Sequence, residues 1–591
     1  MKKAAYNRLS FALFLLLFVY LILRAIFVEP IKDELMTYHF YVDGGYFIGK
    51  GTIIDANNHL LNSSLAWITH QLGRSFFWCR IPSLLAFPFF FFWMKRFVAS
   101  VSSPAHRLVL LLAVVCVPFT LEYFAACRGY GMALAFMAGS LVYLHDWIRT
   151  GKMKFLLLTC LVGWLMIASN ASYLTIALIF GCIAVLSFVV SPVQQTRSWK
   201  VIVIVLLYVV SILPFVWYAG LLKDNGALYY GSLAGFWPVT LRTLLRYTLF
   251  YDAEWMRYPV ISLSFLLIVI FAFRLLKGGI RRFLANKASL LFAVILAQTL
   301  AILFLAHVSH VNYPEDRVAM YFVPLTILCV GFLVLELRRG KFLIYLFLLF
   351  PLLFLFHVNL DSSVISPDDR MNKPLHDLAR ARFTEFTTIG GYALFPTSWA
   401  WAERDEACTQ EFQPTTEDFQ HRLEFVLTKS DLPRVSQRYY RLVGRHDRSS
   451  VKIWQLIRTP EYKPLYLCGA PEFRGDAEFV SLLSFPVPDT LLGKSVLSSV
   501  RCTLQLPGSY RNLLLCYSTV DSAGKTIQYD QFPLEESYGR SRRNISIRNN
   551  YLFRPLSAGE KEIRVYIWNI QRSNLYFYHS FSKLLLQDGP R

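Results

Sequence analysis

Residues 155–190 read FLLLTCLVGWLMIASNASYLTIALIFGCIAVLSFVV, almost without a polar interruption. As one helix these residues would run ~54 Å at about 1.5 Å per residue, well beyond the ~30 Å hydrocarbon core of a bilayer. Asn170-Ala171-Ser172 lies at the middle and can turn the chain. The stretch therefore reads as two short membrane helices joined by a polar turn, and a chain that contains such a hairpin is polytopic.

Working outward, further apolar runs of membrane-spanning character are Leu9 to Val28, Phe77 to Met94, Leu108 to Ala126, Gly129 to His145, Val201 to Gly220, Pro259 to Phe273, Ala288 to Ala306, Val318 to Leu335 and Phe342 to Val358. With the central hairpin this makes about eleven spans. The composition agrees: 55% of the 591 residues are hydrophobic and the mean hydropathy is +0.41, more apolar surface than soluble cores of this length bury. Leu9 to Val28 is not a signal peptide, because Glu29-Pro30-Ile31-Lys32-Asp33-Glu34 follows it in place of a small-residue cleavage site.

The formal charge of +21 raises the question of nucleic acid. The basic residues fall, however, where membrane topology needs them. Lys95, Arg96 and Arg107 share one short loop; Arg149, Lys152 and Lys154 the next; then come Arg197 and Lys200, then Arg274, Lys277, Arg281, Arg282 and Lys287, then Arg338, Arg339 and Lys341. All of these loops land on the side of Lys2, Lys3 and Arg8, which the positive-inside rule makes cytoplasmic. No nucleic-acid partner is implied. An odd number of spans places the chain after Val358 outside.

Three regions face outward: the loop Glu29 to Phe76, with aromatic and aliphatic residues suited to interfacial helices; the Tyr- and Trp-rich loop Leu221 to Tyr258; and the tail from Leu360. In the tail, Asn512 to Val520 and Lys525 to Phe532 flank Asp521-Ser522-Ala523-Gly524 as a β-hairpin. Glu562 to Ile570 and Leu575 to Leu586 are further strands. The fold expected is a polytopic α-helical membrane domain over 1–360, a mixed α/β segment over 361–470 and a β-sandwich accessory domain over 471–591. Cys408, Cys468, Cys502 and Cys516 lie in the tail, without the CxxC spacing of a metal site, and are either bridged or buried thiols.

No phosphate-binding loop, dinucleotide fingerprint, HExxH or GxSxG occurs in a supporting context, so any chemistry rests on isolated polar residues of the outer face. Asp33 and Glu34 follow the first span directly; such a pair either marks a solvated helix end or serves as a general base or metal ligand at the lipid surface. Asp43, Asp55, Asn57, Asn58 and His59 share that loop. Arg128, in Cys127-Arg128-Gly129-Tyr130-Gly131, and Arg317, in Tyr313-Pro314-Glu315-Asp316-Arg317, stand at outer boundaries where basic residues are disfavoured, which points to an anion. Arg80, in Arg80-Ile81-Pro82-Ser83, can be read as snorkelling to headgroups.

Taken in order, Asp33-Glu34, Asn58-His59-Leu60-Leu61, Arg80-Ile81-Pro82-Ser83, Arg128-Gly129-Tyr130 and Tyr313-Pro314-Glu315-Asp316-Arg317 resemble the GT-C membrane glycosyltransferases, over roughly Arg8 to Leu335. The resemblance is to the branch of protein O-mannosyltransferases and bacterial lipid A aminoarabinose transferases. Many of its members have His-Pro where this chain has His59-Leu60.

The resemblance implies a polyprenyl-phosphate sugar donor, an extracytoplasmic acceptor (glycan, glycolipid or protein), and a bacterial inner membrane. It implies Asp33 or Glu34 as the catalytic base and Arg128 and Arg317 as the donor-phosphate site. Tyr130, Asn58, His59, Glu315, Asp316 and Arg80 would then be substrate-binding residues. Members differ in metal use; a divalent Mg or Mn ion, where one is used, would fall to Asp33 and Glu34. The alternatives are a non-enzymatic flippase of lipid-linked saccharides and a polysaccharide polymerase. Few ionisable residues within the spans, Glu122 among them, argue against a translocation path.

The topology is directly testable. A reporter active only in the cytoplasm, fused after Arg591, should stay silent, and a strong signal would invert the assignment.

Overall fold

In the computed structural model, the chain is described over residues 2–48, 53–73, 75–190, 198–337, 339–365, 373–391, 396–403, 409–410, 412–414, 423–429, 431–432, 437–445, 451–470, 472–506, 513–534 and 544–588. Two compact units emerge: Met1–Val28 with Ile53–Ile365, and Glu29–Thr52 with Ser366–Arg591.

The first unit is helical. Among the described residues seven helices are long and apolar enough to cross a membrane: Lys3–Phe27, Phe77–Val98, Gly129–Thr150, Ala171–Val189, Trp199–Asp224, Glu254–Ala285 and Lys287–Val308. Four shorter apolar ones are Pro104–Val115, Met153–Ser169, Phe322–Glu336 and Lys341–His357. Each matches a span read from the sequence. The polar turn within 155–190 is real: Asn170 ends the helix Met153–Ser169, and its Oδ1 accepts from the Ser172 N–H at 2.9 Å to start a 3-10 turn. Asn is suited to this because its short amide caps a turn from the extended backbone it adopts here.

The run Leu108 to Ala126 is not one helix. It stops at Val115 and restarts as the short helix Pro118–Glu122. Pro118 supplies the reason: it lacks an N–H and holds Val117 extended, at ψ 114°. The break brings Glu122 onto Arg24 of the first helix, an ion pair in which both side chains are buried. Arg24 also donates to the carbonyls of Asn359 at 2.8 Å and Ser362 at 3.1 Å, just past the last apolar helix. One guanidinium thus ties together the first helix, the broken helix and the exit of the last. Arg80 is buried rather than snorkelling. Its Nη1 donates to the carbonyls of Ala25 (3.1 Å) and Val28 (2.6 Å), two acceptors that the end of the first helix leaves without an intrahelical donor.

The second unit combines a mixed α/β part and a β-sandwich. The short helix Lys32–Thr37 runs into a π-helical turn, Tyr38–Val42. The helix Pro396–Glu403 packs there, Trp401 meeting the Tyr38 ring edge-on at 5.4 Å. A five-stranded sheet follows, in the order Gln413–Pro414, Ile389–Gly391, Phe425–Thr428, Lys452–Leu456, Tyr440–Arg445. The hairpin read from the sequence pairs Leu513–Val520 with Thr526–Pro533. These belong to a four-stranded sheet with Glu562–Asn569 and Phe479–Pro486. Along Glu562–Asn569 every second residue is buried, as a strand with one face on a core requires. The facing sheet contains Asn544–Leu552, Val496–Gln505, Leu575–Asp588 and Glu461–Ala470. Leu515, Val565 and Ile567 of one sheet share a core with Val500, Ile547 and Leu584 of the other. Cys468, Cys502 and Cys516 are free thiols; Cys408 lies outside the described residues.

The Arg24–Glu122 pair generates a stability prediction. Glu122→Gln leaves the buried guanidinium without its anion, and breaking one side of such a pair costs about 3–5 kcal/mol. Thermal unfolding in detergent should show a clear loss for Glu122→Gln and for Arg24→Met. The double replacement Arg24→Met with Glu122→Met should recover part of it. Unchanged unfolding of Glu122→Gln would contradict this role.

Candidate active site

The sequence Cys127-Arg128-Gly129-Tyr130-Gly131 connects the short helix Pro118–Glu122 to the helix Gly129–Thr150. Arg128 is extended (φ −143°, ψ 140°) and stands just before the first helical residue. Gly129 is there because nothing larger fits: a Cβ would lie 1.9 Å from the Ser169 carbonyl oxygen and 2.8 Å from the His59 Cβ. At Gly131 a Cβ would meet the Tyr123 carbonyl oxygen at 2.4 Å. This close approach buries Arg128 to 1% exposure. Its Nη2 donates to the Asn57 Oδ1 at 2.8 Å, its carbonyl accepts from the Ser83 hydroxyl at 2.8 Å, and its guanidinium lies 5.6 Å over the Tyr130 ring.

His59 sits against this motif. It opens the helix Leu60–His70, with its carbonyl accepting from the Ser63 N–H at 2.8 Å and its own N–H donating to the Asn57 carbonyl at 3.0 Å. Its ring meets Tyr130 edge-on at 4.8 Å. The side chain is buried to 3% exposure, and its Nε2 has no hydrogen-bond partner among the described residues. Burial first, then the positive charges of Arg128 and Arg317, hold this imidazole well below the usual histidine range. It is therefore neutral at physiological pH. Asn58, beside it, is also buried.

The second motif is built by two loops that pair. The Tyr313 N–H donates to the Ser232 carbonyl at 3.0 Å. Gly231 adopts φ +88°, and a Cβ there would lie 2.1 Å from the Tyr313 carbonyl oxygen, so only glycine serves. The Thr240 hydroxyl donates to the Pro314 carbonyl at 2.7 Å, and the Asp316 N–H donates to the Thr243 Oγ1 at 3.1 Å. These bonds hold Asp316 at φ +37°, a left-handed conformation that aspartate tolerates better than most residues.

Tyr230 completes the arrangement. Its hydroxyl donates to Asp316 Oδ2 at 2.5 Å and accepts from Arg317 Nη1 at 2.9 Å, while the Arg317 guanidinium stacks 4.3 Å over its ring. Arg317 and Asp316 are themselves 3.7 Å apart. Burial drives the Tyr230 hydroxyl far above its ordinary range, with Arg317 opposing, so it stays protonated and keeps both bonds. Burial also raises the Glu315 carboxyl, with the neighbouring Asp316 adding to the effect.

The structure thus brings Arg128, Tyr130 and His59 together, joins Asp316, Arg317 and Tyr230, and lets both arginine charges act on His59. Arg80 instead holds the end of the first helix. Asp33 and Glu34 belong to the other compact unit. There Glu34, buried, accepts from the Ile31 N–H at 3.2 Å as half of a capping box, and Thr37 donates to the Asp33 carbonyl at 2.9 Å. Among the described residues no three His, Cys, Asp or Glu side chains gather as a metal ion requires, Asp33 and Glu34 included.

Tyr230 went unsuspected in the sequence. Its one signal is the glycine that follows it in a long aromatic loop.

No family model matches the chain, and no curated protein matches it. Among solved structures it is similar to the arabinosyltransferase EmbB from Mycobacterium smegmatis, at 12% identity and a TM-score of 0.37, over 98% of this chain and 64% of that one. It is also similar to ArnT from Cupriavidus metallidurans in the apo state, at 9% identity and a TM-score of 0.38, over 76% of this chain and 98% of that one. The same protein bound to undecaprenyl phosphate gives 10% identity and a TM-score of 0.37, over 77% and 98%. Overlaps this loose transfer no residue from one chain to the other. The chain spans less than two thirds of the EmbB length.

Proposed function

We propose that this chain is an integral membrane glycosyltransferase that moves a sugar from a polyprenyl-phosphate donor to an extracytoplasmic acceptor, with inversion at the anomeric carbon. The observation that carries the reading is the pair of guanidinium groups, Arg128 and Arg317, drawn from two distant motifs and acting on one buried, neutral histidine. Guanidinium forks suit phosphate oxygens. The resemblance of the motif order to GT-C membrane glycosyltransferases agrees with a lipid-linked phosphate.

The proposed reaction needs few parts. The acceptor hydroxyl oxygen attacks the anomeric carbon and its proton passes to Asp33, with Glu34 as the neighbouring alternative. The bond from the anomeric carbon to the phosphate oxygen breaks, and its electron pair leaves with the phosphate. The donor phosphodiester carries one negative charge and the departing phosphate monoester gains a second. Arg128 and Arg317 therefore bind in the ground state and stabilise more strongly as the bond breaks. Tyr230 and Asp316 fix the Arg317 guanidinium, so little reorganisation is needed as charge develops. Tyr130, Asn58, Glu315 and Asp316 are assigned to substrate binding.

The test uses full-length protein in proteoliposomes containing envelope acceptors, with release of polyprenyl phosphate from a polyprenyl-phosphate sugar as the readout. Asp33→Asn should lower turnover by roughly 10²–10⁴-fold while donor binding persists. Arg128→Ala and Arg317→Ala should lower turnover by roughly 10²–10³-fold and weaken donor binding too. Lysine should rescue either arginine only in part. Full activity in both Asp33→Asn and Glu34→Gln would refute the assignment of the base. Unchanged donor binding in both arginine variants would refute the phosphate site.

A further inference from the structure

His59 is a buried imidazole whose Nε2 has no partner among the described residues; its ring meets Tyr130 edge-on, and the charges of Arg128 and Arg317 act on it. Burying a polar nitrogen without a partner is unfavourable, and such an atom in a core calls for an explanation, a ligand or a water among them. The position is rigid. The His59 backbone is bonded to Asn57 and Ser63, Asn57 also holds Arg128, and Gly129 touches the His59 Cβ so closely that no side chain could separate them. The His59 backbone and the Arg128 guanidinium therefore share one scaffold.

Resting on the transferase reading above, we propose that His59 is a catalytic residue that donates its Nε2–H as a neutral hydrogen-bond donor to the departing phosphate oxygen of the lipid-linked sugar. The choice of a neutral donor over a general acid follows from the surroundings. Arg128 and Arg317 beside a buried ring disfavour a third positive charge, so no proton is available for transfer. A neutral N–H aimed at an oxygen that gains charge has the logic of an oxyanion donor. No proton moves to or from His59: the acceptor's proton goes to the base, and the leaving oxygen keeps the electron pair of the broken bond. The hydrogen bond strengthens as the phosphate passes from monoanion to dianion. His59 accordingly discriminates between the charge states of the ligand, which a residue that merely packs would not do.

The experiment measures binding of farnesyl phosphate, a dianion, and farnesyl methyl phosphate, its monoanionic diester, to full-length protein in detergent micelles. His59→Leu removes the donor; His59→Gln keeps an N–H of similar reach. The Leu variant should bind farnesyl phosphate roughly tenfold or more weakly, as expected for a lost hydrogen bond to a charged group. The diester should lose about threefold or less, and Gln should restore most of the difference. Equal losses for the two ligands, or no loss, would overturn the role of His59.

Should the Leu variant not fold, ¹⁵N-histidine NMR of the wild type decides. Farnesyl phosphate should shift the His59 Nε2–H resonance with the ring still neutral, and no shift, or a protonated ring, would overturn the proposal. Failure of the underlying reading looks different: wild type that does not bind farnesyl phosphate, or binds inorganic phosphate equally well, would remove the lipid-phosphate site itself.

Discussion

A guanidinium inside a largely apolar helical unit is tolerable only where hydrogen bonds and opposing charge replace the water it has lost. Among the described residues Arg80 meets that constraint with the carbonyls of Ala25 and Val28, and three further arginines show how much of the helical unit is arranged around such solutions. Arg24 has Glu122, delivered by a helix that Pro118 breaks, and two carbonyls beyond the last apolar helix. Arg317 has Asp316 and the Tyr230 hydroxyl, delivered by two loops that pair through Ser232 and Tyr313. Arg128 has Asn57 and the Tyr130 face, in a motif that closes only because Gly129 and Gly131 carry no side chain. The first solution organises helices. The other two hold the guanidinium groups to which the proposed function assigns the donor phosphate, and both charges act on His59.

The spans were legible because lipid imposes a coarse rule: length and apolar content decide, and the 155–190 run shows how a polar Asn turn divides a stretch too long for one crossing. The hairpin and strands of the tail were legible for a similar reason, since period-two burial and a Gly-containing turn are local signals. What the hydropathy pattern concealed was the break after Val115. Pro118 announces it, but a run of apolar residues on both sides reads as one span when only hydropathy is followed.

The site was legible in part. Arg128 and Arg317 stood out because arginine is disfavoured at outer boundaries, and the glycines around Arg128 signalled close packing. Tyr230 did not stand out, because one tyrosine in an aromatic loop looks like an interfacial anchor until the pairing of Ser232 with Tyr313, which Gly231 permits, is seen. Arg24 was hidden within an apolar helix, and its relation to Glu122 is long-range. Arg80 shows the converse: a motif residue that reads as a ligand or a snorkel in sequence and is engaged with carbonyls of the first helix in space. Partners that are distant in the chain leave little local trace in a single sequence.

The transferase reading separates most directly from carriage of an intact lipid-linked saccharide by following the glycosidic bond itself. Purified protein in sealed liposomes would be given a polyprenyl phosphate labelled in its sugar, together with an envelope glycan fraction as acceptor. A transferase should place the label in a new glycoside of inverted anomeric configuration and release an equal amount of free polyprenyl phosphate. Label that crosses the bilayer still attached to its lipid, with no new glycoside formed, would contradict that reading.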